Sequence, residues 1–168
     1  MERILITGSS AAGKTTLGKE LSKRLNLKLI HLDKFFWKPN WVRPELEEWR
    51  ETVTGLVEGD KWIIEGNYGS TFDIRFPKAT MIIHFDISPY VCLYRAIKRS
   101  ILTGKSVRED MAEGCIERIN LDFYKYILSY PKKFGPRVYQ SRDDFFSGEF
   151  VVIRNSNDLK KLYSRLGI

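Results

Sequence analysis

Residues 5–16 read LITGSSAAGKTT, and within them Gly8 to Thr15 spells G-x-x-x-x-G-K-T, a spacing of residue types suited to holding phosphate. Glycine at positions 8 and 13 admits backbone torsions that other residues resist, so successive N–H groups across Ser9, Ser10, Ala11 and Ala12 can point inward at phosphate oxygens. A helix starting there adds its positive N-terminal end. Lys14 can then reach the β- and γ-phosphates, Thr15 can present its hydroxyl to Mg²⁺, and Thr16 follows in the first turn. The chemistry these residues support is the binding of ATP with Mg²⁺ and movement of its γ-phosphate.

Moving a phosphoryl group also needs charge at the transferring group, an anchor for the metal and a place for an acceptor. Asp33 and Glu65 each fall where a strand should end, on the sheet edge at which open α/β folds bind ligands. Either can hold Mg²⁺ through water or take a proton from an acceptor hydroxyl. Glu65 has the plainer alternative of a strand-end carboxylate, solvated or paired with a lysine. Asp86 ends another apolar run, but Asp-x-Ser-Pro is also a good strand-to-helix turn. Arg95 and Arg99 share one helical face with Lys98, and Arg108 follows in a polar segment; these arginines could steady a phosphoryl transition state or form a solvated basic face. His31 and His84 lie inside apolar strands and read as core histidines. The aromatic cluster Phe35, Phe36, Trp37 and Trp41 reads as core packing, with the floor of an acceptor pocket as its alternative.

The elements that must position these groups follow from periodicity. Arg3 to Thr7 is a strand, and the helix after the glycine-rich loop repeats Leu17, Leu21 and Leu25 until Asn26 ends it. A second strand covers Leu27 to Asp33, and Pro44 opens a helix that carries Leu46, Trp49, Val53 and Leu56 on one face. Trp62 to Glu65 and Thr80 to Asp86 are further strands; Ser88 and Pro89 start a helix expected to reach Leu102. Polar residues run from Thr103 to Gly114, and helical spacing returns through Ile116, Ile119, Phe123 and Ile127 up to Pro131. Phe150 to Ile153 is the last strand, and Asn157 is placed to cap a terminal helix. Strands alternating with helices predict an α/β sandwich of about five parallel strands.

The 168 residues suffice for one domain, with a core at 1–102 and 131–168, a polar segment at about 103–114 and a helix after it to about 130. At 43% hydrophobic and 29% charged, the composition is that of a folded chain rather than a disordered one. No apolar run reaches the roughly 18 residues of a membrane span, and the start lacks a signal-peptide layout, so a cytoplasmic protein is expected. Cys92 and Cys115 lack metal or redox spacing and read as reduced thiols. The net charge of +7 suits either nucleic acid or anionic phosphates, but the basic residues form no long run and no DNA-binding module is present.

HLDKFFWKPNW, WIIEGNYGSTFDIRFPKA, the RAIKR helix and REDMAEGC, together with the phosphate loop, resemble the adenylate-kinase-like P-loop kinases, which implies an α/β, P-loop NTPase three-layer sandwich with a short lid. Among them the chain is most similar to the DNA topology modulation (FlaR-like) family of small bacterial proteins. The resemblance implies a magnesium-side role for Glu65, followed by Gly66. It makes Arg95 and Arg99 similar to arginines leading into a lid at Thr103 to Gly114, one without zinc cysteines that would close over nucleotide and exclude water. It makes Arg75 similar in placement to an arginine that grips the acceptor's phosphate. It likens Arg154 to Asn157, with Asn155 among them, to an adenine-contacting loop. The segment FFWKPNWVRPELEEWR departs from the usual AMP-binding pattern. The expectation is a kinase that moves the ATP γ-phosphate to a nucleotide or nucleoside; the alternative is a nucleotide-gated DNA-binding or topology-modulating protein with little turnover.

Overall fold

The computed structural model describes residues 2–103, 109–115 and 120–168. In chain order the elements are β1 (Arg3–Gly8), α1 (Lys14–Leu25), β2 (Leu29–His31), α2 (Leu32–Phe36), α3 (Leu46–Leu56), β3 (Trp62–Glu65), α4 (Phe72–Arg75), β4 (Met81–Phe85), α5 (Pro89–Thr103), α6 (Leu121–Lys133), α7 (Gly135–Phe145), β5 (Glu149–Ile153) and α8 (Ser156–Leu166). The five strands form one all-parallel sheet in the order β2-β3-β1-β4-β5. It is the α/β sandwich expected from the alternation of strands and helices, in the P-loop NTPase architecture that the resemblance implies.

A parallel sheet must bury both faces, and alternation along each strand assigns side chains to the two layers. On one side Ile4, Ile6, Ile63, Met81 and Ile83 pack with Leu17 and Leu21 of α1, Cys92 and Ala96 of α5, and Leu162 of α8. On the other side Leu5, Trp62, Ile64 and Ile82 meet Trp49 and Val53 of α3, Phe72 of α4 and Val138 of α7. Register then places polar groups opposite one another. Thr7 lies beside His84, whose Nδ1 is 3.0 Å from the threonine hydroxyl, so this histidine is the satisfied core residue expected.

Four details differ from the sequence expectation. The second strand stops at His31 rather than Asp33, because Leu32 is fully buried and opens the short helix α2, which places Asp33 in a first helical turn. Part of the supposed aromatic loop is therefore helical. The helix expected to end before Pro131 instead runs to Lys133; a proline this near the end costs only one of the last backbone bonds. After it comes α7, unforeseen because a polar sequence, GPRVYQSRDDF, buries only a narrow stripe of Gly135, Val138 and Ser141. The cap of α8 is Asn155, not Asn157: its side chain accepts from the N–H groups of Asn157 and Asp158.

Cys92 and Cys115 are both buried and unbridged. No helix among the described residues is long and apolar enough to cross a membrane. Arg108 and part of the lid-like segment lie outside the described residues.

Burial pushes the His84 imidazole down to about 4, with the charge of Asp86 opposing. An unfolded chain protonates this histidine below its ordinary 6.5 while the folded one does not, so the stability it contributes is complete above pH 6.5 and is lost as pH falls towards 4. In urea unfolding measured across that window, His84→Gln should flatten the fall by up to about 3 kcal/mol. Identical slopes in both proteins would remove His84 as the cause.

Candidate active site

Because all strands run the same way, the phosphate loop after β1, Asp33 after β2, Glu65 at the end of β3 and Asp86 after β4 gather on one edge of the sheet. Along the strand order the connection from β1 leads towards β2 and that from β4 towards β5, in opposite directions, the place where open α/β sheets form a crevice. A cleft of about 600 Å³ lies on that edge.

Its phosphate side is the glycine-rich loop. Gly8 has φ +135°, and a Cβ there would lie 2.6 Å from the Phe85 carbonyl oxygen, so both torsion and space demand glycine. Gly8, Ser10, Ala11, Lys14 and Thr15 line the cleft, whereas Ser9 and Ala12 are buried, Gly13 is the N-terminal cap of α1 and Thr16 faces solvent. The Lys14 ammonium donates to the Ser9 carbonyl at 2.8 Å, which keeps it folded over the loop. Arg95 donates to the Ala12 carbonyl at 3.3 Å and so braces the loop from α5, while Arg99, one turn on, lines the cleft.

Glu65 is the electrostatic centre. The Thr15 hydroxyl donates to its Oε1 at 2.9 Å, and the His31 Nδ1 lies 2.7 Å from the same oxygen, because His31 and Glu65 are register partners on β2 and β3. Burial works against the charged carboxylate, but the His31 ring, the Lys14 charge and the Thr15 hydroxyl overcome it and hold Glu65 below the usual carboxylate range. Asp110 adds a second carboxylate 3.3 Å from the Thr15 hydroxyl. A hydroxyl and two carboxylates form an all-oxygen set of the kind that Mg²⁺ takes, so the residues fit that ion. The lysine-paired alternative for Glu65 gives way to a hub shared by histidine and threonine, and His31 is not the core histidine expected.

Across the cleft Asp33 accepts a hydrogen bond from the Tyr68 hydroxyl. Burial and the Asp33 charge push Tyr68 far above the usual phenol range, so it stays a donor. Phe36, Trp37 and Trp41 line this side, so the aromatic cluster is the wall of a pocket rather than core alone. Asn67 and Tyr68 follow Glu65-Gly66 directly, a proximity in sequence that could have marked them; Asp122, Tyr126 and Phe134 had no comparable signal.

Three candidates stand elsewhere. Arg75 is fully buried, and its guanidinium donates to the carbonyls of Gly66, Asn67 and Tyr68 at 2.8–3.1 Å and to the Thr71 hydroxyl at 3.1 Å. It holds the loop after β3 and does not line the cleft, which corrects its expected role at an acceptor phosphate. Burial lowers it to about 9, still well above neutral. Asn155 is engaged as the cap of α8 and does not line the cleft. Asp86 is exposed, 3.3 Å from Arg154 Nε, and serves the strand-to-helix turn.

No family model matches the chain and no curated protein matches it significantly, so the resemblance to the topology modulation family rests on the sequence stretches alone. Solved structures do match over their full lengths. A shikimate kinase from Bacteroides thetaiotaomicron is similar with a TM-score of 0.62 at 20% identity, covering 99% of both chains. A deoxyadenosine kinase from M. mycoides with bound dCTP is similar at 0.53 and 15% identity over 98% of both chains. The same enzyme with the products dCMP and dCDP gives 0.55 at 12% identity over 98% of this chain and 97% of the other. At such identities the likeness shows the fold alone, a P-loop NTPase α/β sandwich.

Replacing Arg75 by methionine strands the three carbonyls it satisfies, and a loss of roughly 3 kcal/mol or more is expected in urea unfolding. A loss under about 1 kcal/mol would mean the loop has other means of support.

Proposed function

We propose that this chain is a cytosolic, Mg²⁺-dependent phosphotransferase that moves the γ-phosphate of ATP to a small acceptor, a nucleotide or nucleoside. The observation that carries this reading is that Lys14 and Thr15 of the phosphate loop share one cleft with Glu65 and the Asp33–Tyr68 pair. A loop that binds phosphates needs no such opposite wall unless a second molecule sits there.

Within this reading the N–H groups of Gly8 to Gly13 cradle the phosphates and Lys14 balances the charge that builds on the transferring group. Thr15 and Glu65 hold Mg²⁺, with Asp110 beside them. Bound there, the ion would supply Lewis-acid neutralisation of phosphate charge. Arg99, and Arg95 through its hold on the loop, complete the charge around the γ-phosphate, and Arg108 is assigned to the same task. Asp33 accepts the proton of the acceptor hydroxyl. Asn155, which caps α8, keeps a proposed place beside the adenine as part of the loop before that helix.

A coupled ATP-consumption assay with Mg²⁺, run over nucleosides, nucleoside monophosphates and small hydroxylated metabolites, tests the reading. Acceptor-dependent turnover is expected, falling by a factor on the order of 10³ in Lys14→Ala at unchanged melting temperature. If ATP binds tightly and no acceptor raises turnover, the kinase reading fails and the nucleotide-gated DNA-binding alternative, which draws on the +7 charge and on exposed Lys132 and Lys133, takes its place. Duplex binding with a steep salt dependence would then be expected.

A further inference from the structure

Helix α5 uses only part of its circumference inside the molecule. Cys92 and Ala96 pack into the core, while Arg95 reaches the Ala12 carbonyl and Arg99 lines the cleft. The face left over carries Tyr90, Tyr94, Ile97 and Ile101, spaced by four, three and four residues. At about 3.6 residues to the turn, that spacing keeps the four on one line, turned well away from Cys92 and Ala96. Tyr90 is 74% exposed, Tyr94 66% and Ile101 68%, and Val91 and Leu102 widen the stripe with further exposed apolar surface.

Single exposed apolar side chains are ordinary on a protein surface, but six that run together along one helix mark a contact surface. They leave roughly 600 Å² open. Covered on two copies at once, this removes roughly 1,200 Å² from water, the area at which specific, stable interfaces begin. The stripe also fits itself, because its spacing is that of a two-helix seam in which side chains of each helix enter the gaps of the other. Charge sets the direction. With Arg95 and Arg99 engaged at the loop and the cleft, Lys98 is the one charged residue of α5 that borders the stripe. Parallel helices would set the two copies of Lys98 side by side, whereas antiparallel helices centred between Tyr94 and Ile97 part them by roughly 7 Å along the axis. A lipid surface is the poorer match, since helices that lie on membranes flank their apolar face with many basic residues rather than one.

We infer that this face is where two copies of the chain meet. The α5 helices pack antiparallel about a two-fold axis, with Tyr94 of each copy against Ile97 of the other and Tyr90 against Ile101. An interface of this kind is self-complementary and closes at two copies. It lies on the side of α5 away from Arg95 and Arg99, so it stands whatever the cleft binds.

Sedimentation equilibrium of the full chain from about 1 to about 100 μM should reach twice the mass of one chain at the upper end. Tyr94→Glu and Ile101→Glu each enter the interface twice by symmetry, and each should weaken the dimer about a hundredfold with circular dichroism unchanged. Phe145→Glu, at an exposed apolar residue of α7, should leave it intact. Cys92 and Cys115 are buried, so introduced cysteines report the register: an equimolar mixture of Tyr94→Cys and Ile97→Cys chains should cross-link on mild oxidation several times faster than either alone. A chain that stays monomeric across the range overturns the inference, and its binding to vesicles of phosphatidylcholine and phosphatidylglycerol would then assign the stripe to a lipid surface. A dimer indifferent to both glutamates, one broken equally by Phe145→Glu, or a mixture that cross-links no faster than the single variants overturns it as well.

Discussion

The turn from β1 into α1 is set by contact with its neighbour strand. Gly8 comes so close to the tip of β4 that even a methyl group would overlap the Phe85 carbonyl, and this fixes where the loop leaves the sheet. Everything at the site takes its position from that departure. Lys14 and Thr15 open α1 immediately afterwards, Arg95 reaches down from α5 to the Ala12 carbonyl, and the parallel register brings Glu65 under Thr15.

Around that frame the site concentrates its charge in a small buried hub. A carboxylate so deeply buried needs compensation, and Glu65 receives it from three elements at once: a strand histidine, a helix hydroxyl and the loop lysine. The hub therefore couples the phosphate loop to the edge strand β2, and through the next residues to Asp33. The Tyr68 hydroxyl closes the circuit from the other side. Both halves of the cleft, the glycine-rich loop and the aromatic wall, are thus joined through polar contacts as well as through the sheet.

The sheet and the phosphate loop were legible because they are local: a complete eight-residue motif between a strand and a helix, and apolar runs of strand length. Glu65 was legible because a strand end in a parallel sheet is a position in space as well as in sequence. His31 and the aromatic residues were misjudged for the same reason in reverse. An apolar or aromatic stretch looks alike whether it faces a core or a cleft, and only tertiary contact distinguishes them. Arg75 was misplaced because nothing in a local sequence tells whether a guanidinium will point at a ligand or at its own backbone; four oxygens converging on one donor fork decided it. The helix α7 went unseen because three small or apolar positions are too faint a stripe.

The buried arginine gives the cleft an asymmetric tolerance to change. Asn67 and Tyr68 hang from a loop whose carbonyls are clasped by Arg75, so a substitution there disturbs the interior as well as the lining. Trp37 and Trp41 stand on the same side of the cleft, half-exposed, held by ring contacts to Phe36 and to each other rather than by the clasped carbonyls. Drift in the shape of the cleft would accumulate at the two tryptophans, and an engineer reshaping it would have room there while leaving the clasped loop alone.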